Sequence, residues 1–176
     1  MPIKLNTASG GGVILTGANT ASDKTITVPA VDGTMITTAS TFAGTGPAFS
    51  ALVVGTFSIS AATWTKLQLN TEQFDTNSNF DSTTNFRFTP TVSGYYQLNG
   101  TNQQLFNGVN YLAIYKNGSL TFQFGGATTA PTLSCLVYLN GSTDYVELYV
   151  YSASAVTSVA ASSPYVFMSG FLARAA

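Results

Sequence analysis

A period of two runs through most of this sequence. Apolar and polar residues alternate in Lys66-Leu67-Gln68-Leu69-Asn70, and again in Asn85-Phe86-Arg87-Phe88-Thr89, where Phe86 and Phe88 are expected on one face. A helix would return its apolar residues every three to four positions, and no stretch does so. The runs are rich in β-branched and aromatic residues, which fit a pleated, half-buried surface. Gly94 to Leu98 follows a turn. Tyr111 to Lys116 runs into Asn117-Gly118, and Leu120 to Phe124 returns, which is the strongest short-range hairpin signal. Leu133 to Leu139 reaches Asn140-Gly141, and Asp144 to Tyr151 is expected to return beside it as a second hairpin, with Val146, Leu148 and Val150 on one face. Ser152 to Ser163 reads as a small-residue loop and Tyr165 to Arg174 as a final apolar strand. Roughly eight to ten strands in about 130 residues suit an all-β jelly roll.

Residues 1–46 differ from the rest. They hold one aromatic residue, Phe42, and much Gly, Thr and Ala. Val13-Ile14-Leu15 follows three glycines, Thr25 to Pro29 alternates, and Thr34 to Thr37 follows Asp32-Gly33. These pieces have too little bulk for a core of their own and are expected to pack on copies of themselves or on another protein. Thr41 to Pro47 reads as a linker. Residues 47–176 carry almost all the aromatics and form the expected head domain.

Charge excludes whole classes of function. Only 7% of the 176 residues are charged, against about 25% in ordinary domains. The place of ions is taken by 26 Thr and 18 Ser. Lys4, Lys24, Lys66, Arg87, Lys116 and Arg174 are scattered and the net charge is −1, so no nucleic-acid partner is expected. The absence of His removes the usual general base and the commonest metal ligand. Cys135 is alone, which excludes an internal disulfide and a multi-cysteine zinc site, and its apolar run predicts a buried, inert thiol. No apolar run is long enough for a membrane-spanning helix. Met1-Pro2-Ile3-Lys4 shows no basic region followed by an apolar one, so no secretion signal of that type is expected. The three Asn-Gly-Thr/Ser sequons, at Asn99, Asn117 and Asn140, then read as turns.

Several motifs, in order, carry a resemblance. Pro47 to Ala51 looks like an opening strand and Leu69 to Asp75 like an Asn-to-Asp segment. Phe88-Thr89-Pro90-Thr91-Val92-Ser93-Gly94-Tyr95-Tyr96 is similar to a Phe-Pro-Gly-Tyr signature. Ser134 to Leu139, with Asp144-Tyr145-Val146, and the closing Phe167 with Gly170-Phe171-Leu172 complete the set. Through these residues the head resembles the complement C1q globular-head family, a trimeric jelly roll related to tumour necrosis factor. The family's Gly-Asp pair stands here as Thr143-Asp144, and no collagen-like repeat precedes the head. Lys24 to Thr37 resembles segments that recur in bacteriophage fibre and virion surface proteins. The resemblances imply a homotrimer, attached to other virion proteins through residues 1–46, with Ile26, Val28, Met35 and Ile36 as attachment residues.

The candidate sites each have a plainer reading beside them. Asp75-Thr76-Asn77-Ser78-Asn79-Phe80-Asp81 imitates the start of a calcium loop, but Phe80 and Phe86 occupy positions that need Gly and Glu. A looser Ca2+ site at Asp75 and Asp81, suggested by calcium-binding members of the resembled family, stands against a polar loop, and no cofactor is expected. Glu72, Asp75 and Asp81 are the one carboxylate cluster, and a solvated loop is the expectation over a glycosidase pair. Trp64, the single tryptophan, stacks on a sugar or packs in a core or subunit contact. With Val146, Leu148 and Val150 inward, Tyr145, Tyr149 and Tyr151 point outward, and Tyr111 and Tyr115 share a face. These five are expected at a trimer interface. Loops Thr101 to Asn110, Gly125 to Pro131 and Ser152 to Ser163 are where recognition would sit, and Gln103, Gln104 and Asn107 join Trp64 as a candidate ligand surface.

The expectation is a bacteriophage virion protein — fibre, spike or capsid decoration — assembled in the host cytoplasm, whose head projects outward and acts by binding without chemistry, either to host surface carbohydrate or to the particle itself as a stabilising knob. A secreted or cell-surface C1q-like module and a glycan depolymerase remain as alternatives.

Overall fold

The computed structural model describes residues 3–6, 12–15, 46–103, 109–126, 130–157 and 165–176. The chain divides into two compact units, Met1–Thr37 and Thr38–Ala176. In the first, β1 (Ile3–Asn6) and β2 (Gly12–Leu15) pair antiparallel, with Ile3 opposite Leu15 and Asn6 opposite Gly12. Val13-Ile14-Leu15 falls in β2 as expected. The strands expected at Thr25 to Pro29 and Thr34 to Thr37 lie outside the described residues, and with them Ile26, Val28, Met35 and Ile36.

In the second unit every regular element among the described residues is a strand, so none is a helix able to cross a membrane. The chain order is β3 (Ala48–Leu52), β4 (Ser58–Ile59), β5 (Thr63–Lys66), β6 (Thr71–Asp75), β7 (Phe80–Asp81), β8 (Arg87–Phe88), β9 (Gly94–Asn102), β10 (Asn110–Lys116), β11 (Ser119–Gly126), β12 (Thr132–Leu139), β13 (Val146–Ser152), β14 (Val156–Thr157) and β15 (Val166–Ala175). Two antiparallel five-stranded sheets result, β11-β10-β13-β8-β7 and β12-β9-β15-β3-β6, while β14 pairs with β4.

The two-residue period decides which side chains meet between the sheets. On β12, Leu133, Cys135, Val137 and Leu139 are buried and Thr132, Ser134, Leu136 and Tyr138 are exposed. On β13, Val146, Leu148 and Val150 are fully buried. Phe49 stacks on Phe88 at 4.2 Å between ring centroids and on Phe80 at 5.1 Å, and Tyr96 meets Phe88 edge-on. Tyr96 is fully buried, so its hydroxyl needs a partner, and it donates to the Val92 carbonyl at 2.7 Å. Burial pushes that hydroxyl up to about 12 and the Cys135 thiol up to about 11, which keeps the thiol protonated and unreactive.

The Asn117-Gly118 hairpin forms as expected. Both residues have positive φ, 51° and 77°, as a two-residue turn with the twist of its strands requires. The second expected hairpin does not form. β12 pairs with β9, Leu139 opposite Gly94, whereas β13 pairs with β10, Val146 opposite Lys116. Asn140-Gly141 therefore carries the chain from one sheet to the other. Its geometry is held by side chains: Asn140 Oδ1 accepts the N–H groups of Ser142, Thr143 and Asp144. Asn117 ties this connection to the true hairpin, donating to the Asp144 carboxylate and accepting the Tyr145 N–H. Lys116 pairs with Asp144 at 2.8 Å.

Two alternating runs also depart from regular strands. Leu67 and Leu69 are fully buried, but the Leu69 N–H turns back to the Leu67 carbonyl, so the ladder stops at Lys66. Phe86 does not share the fully buried position of Phe88. Asp81 accepts the N–H groups of Thr83, Thr84 and Asn85, which bends the chain, and Phe86 follows in left-handed backbone with φ 50°. The strand there is reduced to Arg87–Phe88.

Candidate functional site

The outer face of the β10–β13 sheet holds most of the aromatic residues singled out above. Register places Tyr111 opposite Tyr151 and opposite Gly125. The next outward row is Gln123, Ala113 and Tyr149. Gly125 and Ala113 are small, so the tyrosines stand above a low floor. The segment carrying Trp64 lies along β13: the Ala62 N–H donates to the Ser152 carbonyl at 2.8 Å and the Leu67 N–H to the Leu148 carbonyl at 2.9 Å. This lays the half-buried indole against Tyr151, Tyr115 and Tyr111, with centroids 5.6, 6.0 and 6.5 Å away. Tyr115 stacks on Tyr149 at 4.0 Å.

On the same face, opposite Tyr115, Glu147 is buried and pairs with Lys66 at 3.0 Å, and the same ammonium donates to the Asn85 carbonyl. Burial raises the Tyr115 and Tyr149 hydroxyls above their ordinary 10, and the Glu147 carboxylate adds to the shift at Tyr149. Beside the cluster is an open pocket of about 450 Å³ lined by Trp64, Val109, Tyr111, Gln123, Tyr151 and Ala153. Among the described residues that line it, none carries a charged side chain.

Four of the five tyrosines expected at a trimer interface thus gather with Trp64 in one aromatic cluster. They are half-buried rather than widely exposed, because Trp64 and one another cover them. Tyr145 faces the Arg87 guanidinium at 4.2 Å instead. Gln103 is exposed after β9, in the other sheet, and its N–H donates to the Tyr165 carbonyl. Gln104 and Asn107 lie outside the described residues. Gln123 was missed. Its setting in Phe122-Gln123-Phe124, across a hairpin from Tyr111, was the signal that would have found it.

Asp75 and Asp81 spend their oxygens on their own loop. Asp75 accepts the N–H groups of Asn77 and Phe80, and Asp81 accepts three backbone N–H groups with the Thr83 hydroxyl and the Asn85 amide. The Thr84 N–H leads the donors that hold the Asp81 carboxyl far below its usual range. Glu72 accepts the Ser82 hydroxyl. No group of three potential metal ligands gathers among the described residues.

The opposite outer face, on the β12-β9-β15-β3-β6 sheet, is the more exposed apolar surface. Leu136, Phe171, Tyr95 and Tyr138 are 51, 47, 43 and 43% exposed. Leu136 and Phe171 flank Gln97 in one row, and Tyr95 contacts Tyr138 at 5.5 Å. Between them runs a neutral polar strip in which Gln97 donates to the Ser134 hydroxyl and that hydroxyl donates to Asn99.

Two facing antiparallel sheets in this order make the fold a tumour-necrosis-factor-like jelly roll. Solved structures similar to it include the vertex protein P5 of the phage PRD1, with TM-score 0.54 and 17% identity over 73% of this chain and 98% of that one. Eiger TNF from S. frugiperda gives TM-score 0.57 and 10% identity over 74% of this chain and 93% of that one. Murine APRIL gives 0.52 and 12% over 70 and 96%. These are likenesses of fold. No family model and no curated protein matches the sequence.

Proposed function

We propose that the chain is a bacteriophage virion structural protein, a homotrimeric fibre, spike or capsid decoration assembled in the host cytoplasm. Residues 1–46 attach it to other virion proteins and the head projects outward, where it binds host surface carbohydrate without chemistry. The observation that carries the reading is the exposed face of Tyr95, Leu136, Tyr138 and Phe171. Apolar patches of this kind mark surfaces that other chains cover. In the middle of this face Gln97, Ser134 and Asn99 are uncharged, so a copy can cover that part without burying charge, while Arg174, opposite Tyr95, and Lys116, over the Tyr138 ring, stand beside its tyrosines. On this reading the subunit contact sits on the sheet opposite the tyrosine cluster, not on the five tyrosines. Likeness to a phage vertex protein supports the place on the particle.

Likeness to Eiger TNF and APRIL favours, as second reading, a free C1q-like binding module. Electron microscopy of virions from the producing host, with gold-labelled antibody against the chain, separates the two. Label on the particle surface is expected. Recovery only as a soluble cellular monomer would overturn the proposal.

A further inference from the structure

We infer that the pocket beside Trp64 is the carbohydrate site, and that it takes a neutral pyranose ring, with Trp64 and Tyr151 together as one stacking wall and Gln123 as the hydrogen-bonding edge. This deepens the carbohydrate-binding part of the proposed function and rests on it. A pocket of about 450 Å³ lies within the roughly 300–1,000 Å³ range of small-ligand sites. Trp64, Tyr151 and Tyr111 touch one another, with Trp64 to Tyr151 at 5.6 Å and Tyr111 to Tyr151 at 5.9 Å, and so present one continuous aromatic wall. A sugar ring presents an apolar C–H face to such rings and a belt of hydroxyls at its rim, so it needs both a π-surface and a donor–acceptor group. Gln123 is exposed on the strand paired with β10 and offers an amide with both functions. The charge balance selects against ionic ligands. Lys66 and Glu147, the ion pair beside the cluster, are paired with each other and are not among the residues lining the pocket. An acidic sugar would find no cation there, and a purely apolar ligand would leave the exposed amide unused.

Trp64 is the single tryptophan, so its emission reports from the pocket directly. The full chain is titrated with methyl glucoside, methyl galactoside and chitobiose, with sialyllactose and an aliphatic alcohol as contrasts, up to tens of millimolar. A saturable change in emission with at least one neutral saccharide, and none with the contrasts, is expected. Gln123→Ala, an exposed change that leaves the fold intact, should weaken that binding by about fivefold, the loss of one hydrogen bond. Tyr151→Leu, checked for folding by circular dichroism and read by calorimetry, should weaken it by about tenfold. Silence with every neutral saccharide overturns the inference, as does a response to sialyllactose or the alcohol alone. So does saccharide binding that both variants leave unchanged, since the sugar would then sit elsewhere. None of these failures touches the virion reading, which antibody labelling tests separately, and absence from virions would leave the titration standing.

Discussion

Phe171→Thr should take the assembly apart while leaving the subunit folded. Phe171 points outward from β15 and is 47% exposed in the single chain. An aromatic side chain buries roughly 150–250 Å², so on the order of 100 Å² of this ring awaits cover. At about 25 cal/mol per Å², covering it contributes about 2.5 kcal/mol per subunit and about 7.5 kcal/mol for a ring of three. Since 1.4 kcal/mol is about a factor of ten, the trimer dissociation constant should rise by about five powers of ten. Thr is chosen because it keeps the strand preference of a β-branched residue. Outside the contact, a surface change of this kind stays within about 0.5 kcal/mol. Sedimentation equilibrium over a concentration series reads the effect, with Tyr111→Thr on the other sheet as the comparison. A trimer as tight as the parent in Phe171→Thr would refute the reasoning. Dissociation in Tyr111→Thr alone would move the contact to the tyrosine face.

Gly170→Ala places a Cβ 2.7 Å from Leu98 Cδ2 and 2.9 Å from Phe49 Cε1. It should cost about 1–3 kcal/mol of stability, read from the shift in denaturant midpoint at unchanged m, whereas Gly100→Ala, whose nearest neighbour is the Leu148 tip at 3.2 Å, should cost less. Tyr96→Phe leaves the Val92 carbonyl without its buried donor, and chemical denaturation should show a loss of about 1 kcal/mol. Asp144 is held below its ordinary 3.8, first by its hydrogen bond from Lys116 and then by Asn117. Its contribution is therefore fully present above pH 3.8 and lost as pH falls through the depressed value. Melting curves below pH 4 should fall less steeply for Asp144→Asn than for the parent. Calcium should leave the melting temperature unchanged, because Asp75 and Asp81 already accept backbone donors. A calcium-dependent rise that Asp81→Asn abolishes would instead establish an ion at this loop.

Much of the fold was legible because a two-residue period states which side chains face inward; β12 follows it residue by residue, and β13 departs from it only at Glu147, which is buried on the outer face by its pairing with Lys66. Turn chemistry was legible at Asn117-Gly118 for the same local reason. Asn140-Gly141 carries the same dipeptide, yet its strands go to different sheets, because partner choice belongs to the packing between the sheets and not to the turn. The irregularity at Phe86 was hidden because it is imposed from five residues away, by the carboxylate of Asp81 capturing the next backbone amides. The candidate site was legible only in parts. Trp64 and the tyrosines were each visible, but their meeting depends on a segment that docks along β13 through two backbone hydrogen bonds, and no local pattern encodes that. Exposure of Leu136 was equally hidden, since Leu133-Ser134-Cys135-Leu136-Val137 reads as apolar until the strand assigns its faces.

The claim at the centre is that this weakly charged head is built to be covered by copies of itself. The molar mass of the full chain in solution, by light scattering at micromolar concentration, tests it most directly. The account predicts about three times the 18.4 kDa of one chain, and three times the mass of the shortened chain when residues 1–46 are removed. A stable, soluble species of 18.4 kDa would contradict it.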